Sequence, residues 1–141
     1  MQADFPVLYA VGKDGVAKHS LDEPGENLGP LFEVLLERVP PATGDPSGPL
    51  QMIVNDIQHD DYVGRLAVGR IVRGRLAKNQ QVVLIGDGTQ KRAKVGAVYG
   101  FEALGRVEVD DVAAGDICCV AGIEGVQIGD TIADPEHPDA L

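Results

Sequence analysis

Eight cations, Arg65, Arg70, Arg73, Arg75, Lys78, Lys91, Arg92 and Lys94, crowd one stretch of this chain, opposed within it by Asp87 alone. Guanidinium forks match phosphate oxygens and lysine adds a point charge, so the chemistry open to this run is gripping a phosphate backbone. The remaining residues hold four of the twelve Lys and Arg and twenty-one of the twenty-two carboxylates. A net charge of −10 therefore conceals a segment of +7 beside a remainder of −17. A small β domain with solvated Lys and Arg on its outer faces would show the same residues, and both readings stay open here.

Other chemistry is thinly represented. Asp60-Asp61 and Asp110-Asp111 are paired carboxylates of the kind acid–base catalysis uses. They come with no nucleophile set and no Gly-rich cofactor loop, so they read as solvated acids in turns, and no catalysis is expected. Cys118 and Cys119 are adjacent. Adjacent strand positions point to opposite faces, which makes a disulfide between them awkward, and both read as reduced core residues. His19, His59 and His137 are scattered and no C-x-x-C occurs, so no metal site is expected.

The elements that must position the cations are short. Eighteen glycines and nine prolines among many valines, leucines and isoleucines predict brief strands joined by tight turns. Phe5 to Ala10 reads as one strand, and Leu31, Val34, Leu35 and Arg38 fall at helical spacing between Pro30 and Pro40-Pro41. A lone strand and helix bury little, so residues 1–48 are expected to be the end of an α/β domain followed by a linker, PATGDPSGP over 41–49. Beyond it, strands are predicted at Leu50 to Ile57, Val63 to Val72, Gln81 to Ile85, Ala93 to Tyr99, Arg106 to Val109, Ile117 to Val120 and Thr131 to Ala133. Short strands in such number suit a closed barrel over 49–135, with 136–141 as a second linker. No apolar run reaches membrane-spanning length and no basic-then-apolar leader opens the chain, so a cytoplasmic protein is expected.

Within the cationic stretch, Tyr62 to Val82 reads YVGRLAVGRIVRGRLAKNQQV. Gly69 lets a backbone, a bulge or a ligand approach and clears space beside Arg70; Arg73-Gly74-Arg75 reads as a turn carrying two guanidiniums. Tyr62 is expected in the core. The string resembles domain II of translational GTPases. Elongation factors G and Tu have a similar strand, turn and return strand, but the GRIVRG spacing followed by NQQV is most similar to the BipA/TypA family. YAVGKDGVA at Tyr9 to Ala17, PLQMIVNDIQHDDYVG at Pro49 to Gly64 and AGDICCVAGIEGVQIGDTI at Ala114 to Ile132 extend the likeness in order along most of the chain.

That resemblance implies a mainly β fold, a closed antiparallel barrel of the translation-factor domain II type preceded by a strand-helix remnant of a G domain. It implies docking on the ribosome at small-subunit rRNA and packing against the protein's own G domain and downstream domains, with no role for DNA or membrane. Gly69, Arg70, Arg73, Arg75 and Lys78 are the residues it offers for RNA contact, set by phosphate and sugar rather than by base sequence. GTP and magnesium belong to the parent protein. This chain has neither the G-x-x-x-x-G-K-[ST] phosphate loop nor N-K-x-D; Ala10, Val11 and Gly12 are a weak remnant of the guanine loop, with Val11 where serine is usual. The rival readings are a spacer barrel without RNA contact and domain II of another elongation-factor-like GTPase. An OB-fold single-strand binder would need more than six Phe and Tyr in all and their stacking platforms.

Overall fold

The computed structural model describes residues 5–141. The chain forms two compact units, a smaller one ending at Pro41 and a larger one, Ala42–Leu141. In the smaller unit β1 (Tyr9–Val11) and β2 (Val16–Lys18) pair antiparallel, with Ala10 opposite Ala17. A single 3-10 turn, Gly12–Asp14, joins them, and Gly15 at φ +64° lets its N–H return to the Gly12 carbonyl. The strand predicted at Phe5 to Ala10 is thus one arm of a hairpin and starts later, at Tyr9. Helix α1 (Gly29–Arg38) takes Pro30 in its first turn, where a missing N–H is harmless, and ends as Val39 N–H reaches the Leu35 carbonyl. None of its residues is buried.

The larger unit holds β3 (Gln51–Asp60), β4 (Gly64–Arg73), β5 (Arg75–Ala77), β6 (Gln81–Gly86), β7 (Thr89–Lys94), β8 (Ala97–Glu102), β9 (Gly105–Val109), β10 (Asp111–Ala113), β11 (Ile117–Ala121) and β12 (Thr131–Ala133). Eight of these make one antiparallel sheet in the order β7-β6-β12-β3-β4-β11-β8-β9, and β10 pairs with β5 separately. The fold is mainly β, as expected. The large sheet's own ladder ends at β7 and β9 and does not close on itself.

Alternation explains the core. Along β4, Gly69 and Ile71 are buried while Arg70 and Val72 face out. Met52, Val54, Ala67, Ile71, Val82, Val98, Cys118, Val120 and Ile132 meet in one cluster. Each fully buried Val, Ile or Leu there contributes roughly 1.5–3 kcal/mol. Both cysteines are buried free thiols, as the sequence indicates. Cys118 joins the core and touches Met52 sulfur to sulfur at 3.9 Å.

Several boundaries differ from expectation for identifiable reasons. The strand predicted at Ala93 to Tyr99 is two strands, because Val95 turns into the core and Gly96 N–H bonds to the Ala121 carbonyl. Arg73-Gly74-Arg75 is a kink in a nearly continuous strand: Gly74, at φ +74°, gives its N–H to the Asp45 carbonyl and accepts from Ala114 N–H. A Cβ there would stand 2.7 Å from the Gly48 carbonyl oxygen. Of the stretch expected as a linker, 41–49, residues 42–49 belong to this unit, held by that bond and by Arg73 Nε donating to the Pro49 carbonyl at 2.9 Å. Residues 136–141 are likewise held, Gln51 Nε2 donating to the Asp139 carbonyl and Leu141 N–H to Thr131 Oγ1. Both segments lack an apolar pattern yet are tied down by backbone hydrogen bonds, which composition alone does not report.

Candidate anion-binding surface

Gly69 lies in mid-sheet, paired with Val54 on one side and Cys118 on the other. A register shift between Val54 and Asp56 bulges β3 at this point, and a Cβ on Gly69 would stand 2.0 Å from the Ile53 carbonyl oxygen. The glycine admits a backbone, not a ligand. Gly69 and Arg70 are both residues of the predicted strand, one buried and one exposed.

The guanidiniums and the lysine of the expected site are mostly engaged. Arg70 projects outward and gives Nη2 to the Thr43 carbonyl at 2.8 Å, with no carboxylate partner among the described residues. Arg73 spans the Pro49 carbonyl and the Asp139 carboxylate, the latter at 3.0 Å. Arg75 gives Nε and Nη2 to Asp111, and Lys78 gives Nζ to Glu108. The hydrogen bond to Glu108, then its charge, raises the Lys78 pKa above the ordinary lysine value. Sequence reasoning missed these acids because each arrives from a distant strand or the C-terminal segment; the only signal was the excess of carboxylates outside the basic stretch.

Besides Arg70, four cations of that stretch, Arg65, Lys91, Arg92 and Lys94, have no carboxylate within ion-pair distance among the described residues. Three of them lie on β7, a polar edge strand that its ladder to β6 holds in place, Arg92 opposite buried Val83 and Lys94 opposite Gln81. Lysines and arginines on an edge strand also oppose sheet-to-sheet aggregation, so their presence has a bland explanation as well.

The tip between β3 and β4 corrects another expectation. Tyr62, expected in the core, is 99% exposed. Asp60 organises the turn: its Oδ1 accepts the Tyr62 and Val63 N–H groups and its Oδ2 pairs with Arg106. Those two backbone bonds, helped by Arg106, lower its pKa below the aspartate value of 3.8. Asp60 and Asp111 are therefore structural acids, each held by an arginine. Ala10, Val11 and Gly12 lie exposed where β1 runs into the 3-10 turn. Among the described residues no group of three His, Cys, Asp or Glu could hold a metal, and no helix is long and apolar enough to cross a membrane.

Comparison with known proteins follows the same stretch of chain. The family described as Elongation factor Tu domain 2 matches residues 64–133. Over 141 residues the chain is 43% identical to the large ribosomal subunit assembly factor BipA of Synechocystis, covering 99% of this chain and 24% of that one. It is 38% identical to the BipA of Bacillus subtilis, covering 23% of it. It is 42% identical to a putative chloroplastic elongation factor TypA-like protein of Arabidopsis thaliana, covering 21% of it. The chain spans about a quarter of the length of these relatives.

Proposed function

We propose, from the premise that this chain belongs to the BipA/TypA family, that it is the domain II barrel of a cytoplasmic, ribosome-associated translational GTPase, with the end of the G domain ahead of it. The observation that carries this reading is likeness running through 99% of the chain to proteins named as ribosomal subunit assembly factors. Barrel closure has support in the connections. Gly74 alone separates β4 from β5, and Asp110 alone separates β9 from β10. Pairing of β10 with β5 thus returns the β9 end of the ladder to the strand that contains β4, completing a circuit β4-β11-β8-β9.

In this reading GTP and magnesium act elsewhere in the parent protein. The residues present do not fit them: a phosphate needs a nest of backbone N–H groups and a lysine, and the sequence has no phosphate loop. The chain's part is docking, through outward cations that meet rRNA phosphates. Arg70 leads, because among the described residues no carboxylate competes for it, and Gly69 serves by letting β3 and β4 close up behind it. Arg73, Arg75 and Lys78 join by exchanging Asp139, Asp111 and Glu108 for phosphate oxygens. Small-subunit rRNA draws no support from the relatives' names, which speak of the large subunit. A second reading, a spacer between domains, is favoured by those same three ion pairs.

Co-sedimentation with separated small and large ribosomal subunits at low salt tests both. Docking by RNA predicts that R70A together with charge removal at Lys91, Arg92 and Lys94 weakens binding and flattens its salt dependence. Binding that survives those changes leaves the spacer reading, and the subunit that pellets the chain identifies the surface.

A further inference from the structure

The hairpin of β8 and β9 carries a group of exposed apolar side chains. Its two-residue tip, Ala103-Leu104, holds Leu104 fully in solvent, and Phe101 and Val107 on its arms are 47% and 40% exposed. Beneath it lies a hollow of about 760 Å³ walled by Phe101, Val107 and Val109 from the hairpin and by Val112 and Ile117 from β10 and β11. Ile117 too is more than half exposed. Scattered surface apolar residues mean little, but a contiguous group lining a concave wall marks a contact site.

Two further observations specify what would fill it. Among the described residues β9 is an end strand of the sheet, so alternate N–H and C=O groups of Gly105–Val109 face away from β8 with no strand against them. The polar wall of the hollow is acidic: Glu102, Asp111 and Asp116 line it against one cation, Arg75, which is already committed to Asp111. Phosphate would be repelled there. A second copy related by a twofold axis would bring the same acidic wall, Glu102, Asp111 and Asp116, to the same place.

We propose that the β9 edge and the hollow beside it bind an extended, basic, apolar-studded segment of a partner protein. The segment adds as a strand along Gly105–Val109, sets alternate aliphatic side chains against Val107 and Val109, which share one face of β9, and turns lysines or arginines toward Glu102 and Asp116. The inference adds a protein partner to the proposed ribosomal setting, and its test uses no ribosome, so the two readings can fail separately.

The probe is a short synthetic peptide of alternating lysine and leucine, titrated into the nitrogen-labelled 141-residue chain while amide resonances are followed. The expected result is saturable shifts confined to Gly100 to Val109 and Asp111 to Ile117. Leu104→Asp and Glu102→Lys change fully or largely exposed side chains and leave the fold intact; each is expected to weaken the peptide by about tenfold, a loss of a few contacts. Equal binding by a glutamate–leucine peptide would overturn the charge argument. Shifts centred on β7 would overturn the location. A uridine oligonucleotide moving the same amides would make the surface an RNA site, and shifts that change on diluting the chain alone would make it a self-association face.

Discussion

Arg75 gives both Nε and Nη2 to a single carboxylate oxygen of Asp111, a residue 36 positions further along the chain, across the β5–β10 pair. The guanidinium that sequence offers for phosphate is therefore occupied by the chain itself. An exposed pair of this kind adds only about 0.2–1 kcal/mol of stability. Arg75→Ala is expected to lower stability within that range and to change ribosome affinity less than Arg70→Ala. Asp111→Asn does the reverse, freeing a cation. It is expected to strengthen low-salt binding to ribosomal subunits and to steepen the salt dependence, read by co-sedimentation across a salt series.

Gly69 is a test of packing. A methyl group there would meet the Ile53 carbonyl oxygen at 2.0 Å and Met52 Cε at 2.8 Å, in a sheet paired on both sides. Relief requires β3 and β4 to part. Gly69→Ala is expected to cost about 3 kcal/mol or more, seen as a lower denaturation midpoint with an unchanged slope. Loss of ribosome binding in that variant would report unfolding, so urea titration has to accompany it.

Much of this architecture was legible in the residues. Pro30 and Pro40 bracket α1, and the Val, Ile and Leu runs at Gln51, Gly64, Gln81 and Ile117 become strands because alternate positions have a core to face. What escaped has physical causes. β7 reads TQKRAK, with Ala93 its one apolar residue, and is a strand because the buried Val82 to Leu84 run of β6 pairs with it. The site was legible as charge but not as availability. The acids that quench Arg73 and Lys78 lie 66 and 30 residues away, and no local pattern reports a partner on another strand. Tyr62 looked apolar enough for the core, yet the Asp60 turn places it on the tip, in solvent.

Ala103 adopts φ +51° at the tip of the β8–β9 hairpin. An L side chain is disfavoured in this left-handed region, whereas glycine enters it freely. Ala103→Gly is expected to stabilise the larger unit by about 1 kcal/mol, the relief of that strain exceeding the added entropy of the unfolded chain. A melting temperature a few degrees higher would record it. A lower one would mean that the tip is not strained in solution.

Asp60 links the β3–β4 tip to acid stability. Its folded pKa is depressed by the Tyr62 and Val63 N–H bonds, then by Arg106, below 3.8. A depressed carboxyl contributes stability that is present above the unfolded value and is lost as pH falls through the lower folded value. Melting followed from neutral pH down past that window is expected to fall less steeply for Asp60→Asn than for the unaltered chain. Asparagine keeps an acceptor for the tip but has no proton to take up. Parallel curves for the two would remove Asp60 from the acid transition.

Cys118 and Cys119 give the fold a chemical clock. Burial pushes the Cys118 thiol up from 9.0 to about 12, and burial raises Cys119 as well, partly countered by Arg106. The attacking species in alkylation is the thiolate, which neither residue supplies in the folded chain near neutral pH. Iodoacetamide is therefore expected to add to neither until the sheet opens, and then to both, so that mass spectrometry in a urea series shows unmodified and doubly modified chains with little between. A singly modified species accumulating well below the unfolding midpoint would place the break locally, at the outer face of β11 that Cys119 shares with Arg106, and would show the β8–β9 hairpin lifting before the core is lost.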